Sequence, residues 1–347
     1  MKKTTIIIIL LFFTISNSFC QKQSGEKKQY KICTIAFYNC ENLFDTIAQP
    51  NDSEFTPEGI NKWNTPKYYE KMRHLAQVIS QIGVEETGMP PAVIGLSEIE
   101  NISVLEDLVK TEPLKKFNYQ IVHRDGSDYR GVDCALLYRP EIFKVNTVSM
   151  YVLKTNIPNF ITRDQITISG DFDGEEMTFI VNHWPSRRGG EKASAPKRNA
   201  AADLSRHIVD SVLKNNKNAK IIVMGDLNDD PTDQSVKKHL ITTDKKEKAF
   251  NGIMFNPMEV LFKKGIGSLA YNDKWNLFDQ IIISPGFVLK EGNDYKFYQA
   301  HIFNKSFLLQ QDGRFKGYPF RTYVGGTYVG GYSDHLPSFI TIIKEIK

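Results

Sequence analysis

Short apolar runs recur along this chain, and several stop abruptly at polar residues. Alternating or continuous apolarity predicts strands at Ile32–Tyr38, Ala92–Leu96, Tyr119–His123, Val132–Tyr138, Phe143–Leu153, Gln165–Ser169, Met177–Val181, Ala219–Met224, Gln280–Ser284 and Ser338–Ile343. Helical spacing predicts helices at Pro66–Ile82, Val104–Thr111 and Pro196–Lys214. In the last of these, Ala200, Leu204, Ile208 and Val212 share one face behind Pro196 near the start. Strands alternate with helices, but hairpin-like neighbours are frequent. The expected fold class is therefore α/β, with mixed sheets covered by helices. Gln49–Asn64, Ser186–Ala195, Thr242–Lys264 and Gln310–Tyr332 read as long loops, which are commonly functional in compact domains.

The polar stops carry the chemistry. Thr178–Val181 runs into Asn182-His183, Ala92–Leu96 into Ser97-Glu98, and Ile221–Met224 into Gly225-Asp226-Leu227-Asn228. Ile35–Tyr38 ends at Asn39, with Glu41 close behind; Asp279 precedes Gln280–Ile283, and Ser333-Asp334-His335 precedes the last strand. One Asp or Asn after a strand is usually a turn residue. Taken together, these positions supply carboxylates, amides and two imidazoles, a set suited to Mg²⁺, Mn²⁺ or Ca²⁺ and to phosphate chemistry.

Composition narrows the class without naming a partner. The chain has 347 residues, 41% hydrophobic and 24% charged, which is globular composition. A net charge of +4 is too small to mark a nucleic-acid binder. Met1-Lys2-Lys3 followed by the apolar Ile6–Ile15 reads as an export signal over residues 1–20, with a polar leader at 21–30 and one domain over 31–347. Cleavage after Cys20 is one reading, and lipid attachment at Cys20 the other. The mature protein is then periplasmic, secreted or a surface lipoprotein, and a monomer is expected. Cys33, Cys40 and Cys134 read as small buried hydrophobes.

The motifs N-C-E-N-L-F-D, G-L-S-E-I-E, N-H-W-P-S-R, G-D-L-N-D-D-P, F-D-Q-I and S-D-H-L-P, in this order over residues 39 to 335, resemble the endonuclease/exonuclease/phosphatase superfamily, the DNase I-like fold. The resemblance implies a four-layer sandwich, two mixed sheets face to face with helices outside. It also implies metal-side roles for Glu98, Asn39, Glu41 and Asp334, and catalytic roles for His183, Asp226, Asn228, Asp279 and His335. Arg163 and Asp133 match substrate-side positions. Arg187 and Arg188, next to His183 in a glycine-rich loop, are expected to meet phosphate. The implied function is Mg²⁺-dependent (or Mn²⁺- or Ca²⁺-dependent) hydrolysis of phosphodiesters, first of all in DNA or RNA. A phosphatase or sphingomyelinase-like lipid phosphodiesterase is the alternative, and a binding protein without catalysis ranks below both.

Overall fold

The computed structural model describes residues 28–49, 54–289 and 293–346. The proposed export signal and Cys20 lie outside them. In chain order the elements are β1 (Gln29–Leu43), α1 (Thr65–Ile79), α2 (Val84–Thr87), β2 (Val93–Ile99), α3 (Ile102–Lys110), β3 (Gln120–His123), β4 (Asp133–Tyr138), β5 (Phe143–Tyr151), β6 (Gln165–Phe172) and β7 (Glu175–His183). Then follow α4 (Glu191–Asn215), β8 (Lys220–Asp226), β9 (Thr242–Thr243), β10 (Met254–Phe255), α5 (Met258–Lys263), β11 (Leu269–Tyr271), β12 (Lys274–Asn276) and β13 (Asp279–Ile283). β14 (Lys296–Ile302), β15 (Tyr323–Val324), β16 (Thr327–Tyr328) and β17 (Ser338–Ile346) complete the chain.

Two sheets form, ordered β14-β17-β1-β2-β4-β3 and β5-β6-β7-β8-β13-β10-β9. Both mix parallel and antiparallel pairs. Their facing sides make one apolar layer that includes Ile35, Phe37, Phe179, Val181, Met224 and Ile281. The outer side of the first sheet packs on Met72 and Leu75 of α1 and Leu105 of α3. The outer side of the second packs on Ala202, Ile208 and Val209 of α4. This is the expected four-layer sandwich. The sheets approach so closely at Gly95 that a Cβ there would lie 2.6 Å from Met224 Sδ. That is why glycine interrupts the apolar run of β2.

Period-two alternation explains how buried strands deliver polar ends. Val181, Met224 and Ile281 point into the layer between the sheets. His183, Asp226 and Asp279 lie two residues along the same faces, beyond the apolar filling. They are also register partners: His183 pairs with Asp226 across β7–β8, and Asp279 with Asp226 across β8–β13. One rung of the sheet thus presents three reactive side chains at one sheet edge.

Some elements differ from the sequence expectation. α4 begins at Glu191, so Pro196 lies inside it. Buried Arg198 anchors this first turn, donating to Glu191 O and the Ser194 hydroxyl and pairing with Asp229 at 2.6 Å. β14 is an edge strand that periodicity does not reveal, because its residues are half-exposed or exposed on both faces. Cys33, Cys40 and Cys134 are buried free thiols, as expected. Among the described residues no helix is long and apolar enough to cross a membrane.

Candidate active site

The expected groups converge. Asn39, at the end of β1, reaches across from the first sheet to donate to Asp226 Oδ2 at 3.1 Å. Asp226 Oδ1 accepts the Asn228 backbone N–H at 2.9 Å. His183 Nε2 stands 3.6 Å from Asp226 Oδ2 and 3.8 Å from Glu98 Oε1. His335 Nδ1 donates to Asp279 Oδ2 at 2.6 Å, which leaves its Nε2 facing Asp226 and Asp334, each at 3.9 Å. Asp279 itself is fully buried, and Ser268 donates to the same carboxylate oxygen.

The acids expected on the metal side, Glu41 and Glu98, sit where the ladders break. The β1–β2 register shifts between Asn39 and Leu43, and the β2–β4 register between Ser97 and Ile99. Glu41 and Glu98 occupy those irregularities with left-handed φ of 50° and 61°. For residues with a Cβ this backbone is strained, and it re-aims both carboxylates toward the cleft. Glu98 Oε2 accepts the Asn42 N–H at 2.9 Å. Glu41 Oε2 accepts the Thr322 N–H and lies 3.7 Å from the ammonium of Lys71, a buried lysine that the sequence reading did not single out. Asp334 accepts from Arg321 at 2.7 Å.

Electrostatics separates the two histidines. Burial lowers the His183 pKa well below its usual value, and the charges of Arg163, Arg130 and His335 lower it further. His335 feels the same burial, but Asp279 and Asp226 outweigh it and raise its pKa well above the usual value. At neutral pH His183 is neutral and His335 charged. Burial pushes Asp226 up to about 7, against the pull of His335. Burial and the Asp334 charge push Glu41 up to about 7 as well. Among the described residues, Asp226, Asp279 and His335 lie close enough together to hold one metal ion, and the crowding that pushes Asp226 and Glu41 toward neutrality is the kind that a divalent cation relieves.

The His335–Asp279 pair gives a stability prediction with a definite sign. A raised folded-state pKa stabilises below the unfolded value and loses that effect as pH rises through the folded value. The stability deficit of Asp279→Asn should therefore be greatest below about pH 6.5. It should shrink as pH rises through the His335 titration. Denaturant midpoints between pH 5 and 9 check this, and a deficit that grows with pH would contradict it.

Several expected substrate-side residues are engaged elsewhere. Arg163 is buried and donates to His183 O, Trp184 O and Asp128, so it positions the end of β7 and is not free to meet phosphate. Arg187 pairs with Glu191, Asp229, Asp230 and Asp233. Asp133 accepts the Gly126 N–H and stands 3.5 Å from His123. Arg188, in contrast, donates among the described residues only to the exposed Tyr129 hydroxyl, at 3.4 Å.

Asn182 has a role that no sequence signal assigned. Fully buried behind His183, it donates to Met224 O at 3.2 Å and accepts from Trp184 Nε1 and Ser205 Oγ, each at 3.1 Å. It joins β7 to β8 and to α4 directly beneath the His183–Asp226–Asp279 rung. An amide following an apolar strand was the available signal, but nothing local distinguishes it from a turn residue.

Solved structures share this architecture. TDP2 from D. rerio carrying 14 humanizing mutations superposes with a TM-score of 0.56 at 15% identity, covering 90% of this chain and 99% of that one. The mannosyl-6-phosphatase Bt3783 of Bacteroides thetaiotaomicron gives 0.51 at 20% identity, covering 89% and 99%. The human Nocturnin catalytic domain gives 0.52 at 14%, covering 92% and 98%. At these identities the likeness shows the fold alone. No curated protein matches the chain. The family model matches residues 34–344, and the chain belongs to the endonuclease/exonuclease/phosphatase family.

Proposed function

We propose that this chain is an exported, divalent-metal-dependent phosphodiesterase acting on nucleic acid. The observation that carries the reading is the buried rung His183–Asp226–Asp279, closed by His335, Asn39 and Glu98. Asp226 orients the attacking water and takes its proton as the water oxygen bonds to phosphorus; the P–O bond to the leaving alcohol breaks, and that oxygen takes up a proton from solvent. Asn39 and the Asn228 backbone hold that carboxylate in place. Charged His335, fixed by Asp279, donates from Nε2 to the phosphate oxygens as charge builds. Neutral His183, whose Nε2 also lies near Asp226 Oδ2, donates a hydrogen bond to the phosphate. When bound, the cation supplies Lewis-acid neutralisation of the phosphate. A TDP2 from D. rerio has been solved with a single-strand DNA product, which supports nucleic acid as the first substrate to test. A phosphomonoesterase would use the same groups, and the pocket beside Asp334 favours that second reading.

Purified mature protein should hydrolyse DNA or RNA with Mg²⁺ and lose all turnover on exhaustive chelation. Turnover that survives chelation would remove the metal from the mechanism. Intact nucleic acids alongside cleaved sphingomyelin, inositol phosphates or sugar phosphates would remove the nuclease assignment. Export rests on Ile6–Ile15 and its basic flank. Cell fractionation with mass analysis of the mature N-terminus tests it and distinguishes cleavage from lipidation at Cys20.

A further inference from the structure

Beside the catalytic cluster lies a pocket of about 520 Å³ whose lining includes Asp334 and Arg321. One wall is the β11–β12 hairpin, and the other is the segment from Gln310 to Val324. The hairpin turns through Asn272 and Asp273, both left-handed (φ 49° and 59°), which is the tight two-residue connection that matches strand twist. Tyr318 fastens the two walls together. Its hydroxyl donates to Asp273 Oδ1 at 2.6 Å and accepts the Asp273 N–H at 2.7 Å. The pocket is therefore built in advance of any ligand.

We propose that this pocket seats the sugar carrying the scissile phosphate, as one phosphorylated pentose or hexose ring. The inference rests on the phosphoesterase reading above and specifies its substrate. The volume lies in the range of small-molecule pockets and has room for a sugar ring with its substituents. Ring hydroxyls both donate and accept, and the amides of Asn272 and Gln310 do the same. Arg314 adds donors, and the exposed faces of Phe315 and Tyr271 suit the C–H side of a sugar. Arg321 spans the boundary: it lines the pocket while its guanidinium holds Asp334, next to catalytic His335. A ring in the pocket would lie against Asp334, whose Oδ1 is 3.9 Å from His335 Nε2, so a phosphate on the ring can reach that side of the cluster. The same chemistry arises in a free sugar phosphate and in the terminal nucleotide of a strand.

The test compares wild type with Arg314→Ala and Phe315→Ala, two exposed positions in a loop. Substrates are hexose 6-phosphates, ribose 5-phosphate, single-stranded oligonucleotides with free or blocked ends, and methyl p-nitrophenyl phosphate as a sugar-free reference. The ratio of kcat/KM for the preferred sugar substrate to that for the reference should fall about tenfold to hundredfold in each variant. Calorimetric binding of the sugar phosphates should weaken in parallel. Preference for free sugar phosphates identifies one source, and dependence on a free strand end identifies the other. An unchanged ratio together with unchanged binding overturns the proposal. If wild type hydrolyses nothing but the binding loss appears, the pocket stands and the phosphoesterase reading fails.

Discussion

Asp226→Asn should lower kcat by about 10³–10⁴-fold with little change in KM. The asparagine keeps an acceptor for the Asn228 N–H but cannot take a proton from water. His183→Ala should be similarly damaging, and the double variant hardly worse than either single one, because the groups act as a unit. Stability should move in a different way. Burial raises the wild-type Asp226 pKa to about 7, so ionising this group weakens the native state as pH rises from its unfolded value. The variant lacks that titration. Its Tm relative to wild type should therefore rise between pH 4 and about 7 and level off beyond. Single-turnover rates and thermal melts measure the two effects independently. A rate within tenfold of wild type would mean that Asp226 is not the residue that handles water.

This pairing of lost activity with improved relative stability is expected where function keeps charge buried. It also explains what the sequence made legible. Apolar runs such as Ile221–Met224 show where the core lies, and a polar residue at the end of such a run signals a conflict with burial. His183, Asp226 and Asp279 conflict at the same rung, so the sheet brings them together without special loops. Glu41 and Glu98 stand out in the sequence only as parts of motifs, because irregularities in the ladder aim them. The partners of Arg163 and Arg187 are hidden from the sequence for a different reason. Nothing near Arg187 in sequence indicates that Asp229, Asp230 and Asp233 will neutralise it. Nor does anything near Arg163 point to the carbonyls of His183 and Trp184. A long cation takes its partners from the tertiary fold, and periodicity does not report on those. Edge strand β14 was missed because it has no buried face to impose a pattern.

Asn182→Leu should destabilise the protein by about 3–5 kcal/mol and reduce kcat as well. Leucine fills similar space but leaves the buried Trp184 N–H without its acceptor and Met224 O without this donor. Ser205 has alternatives in Gln165 and Ala201, so it contributes less to the loss. Because Asn182 adjoins His183 on β7, the same change releases the His183 imidazole from its setting. A displacement of about 1 Å there is enough to lower kcat about 100-fold. Asn182→Asp separates the causes. It retains the acceptor for Trp184 and Ser205, loses the donor to Met224 O, and buries a carboxylate whose folded-state pKa must rise. Its deficit should be greatest at neutral pH and shrink as pH falls through that raised value, since protonation restores a neutral donor. Denaturant melts at pH 5 and 8 measure this, together with kcat at a temperature where both variants remain folded. If Asn182→Leu keeps full kcat under those conditions, Asn182 supports the fold and does not position His183. If kcat falls while the folded fraction stays complete, the amide behind the strand helps set the geometry of the imidazole in front of it.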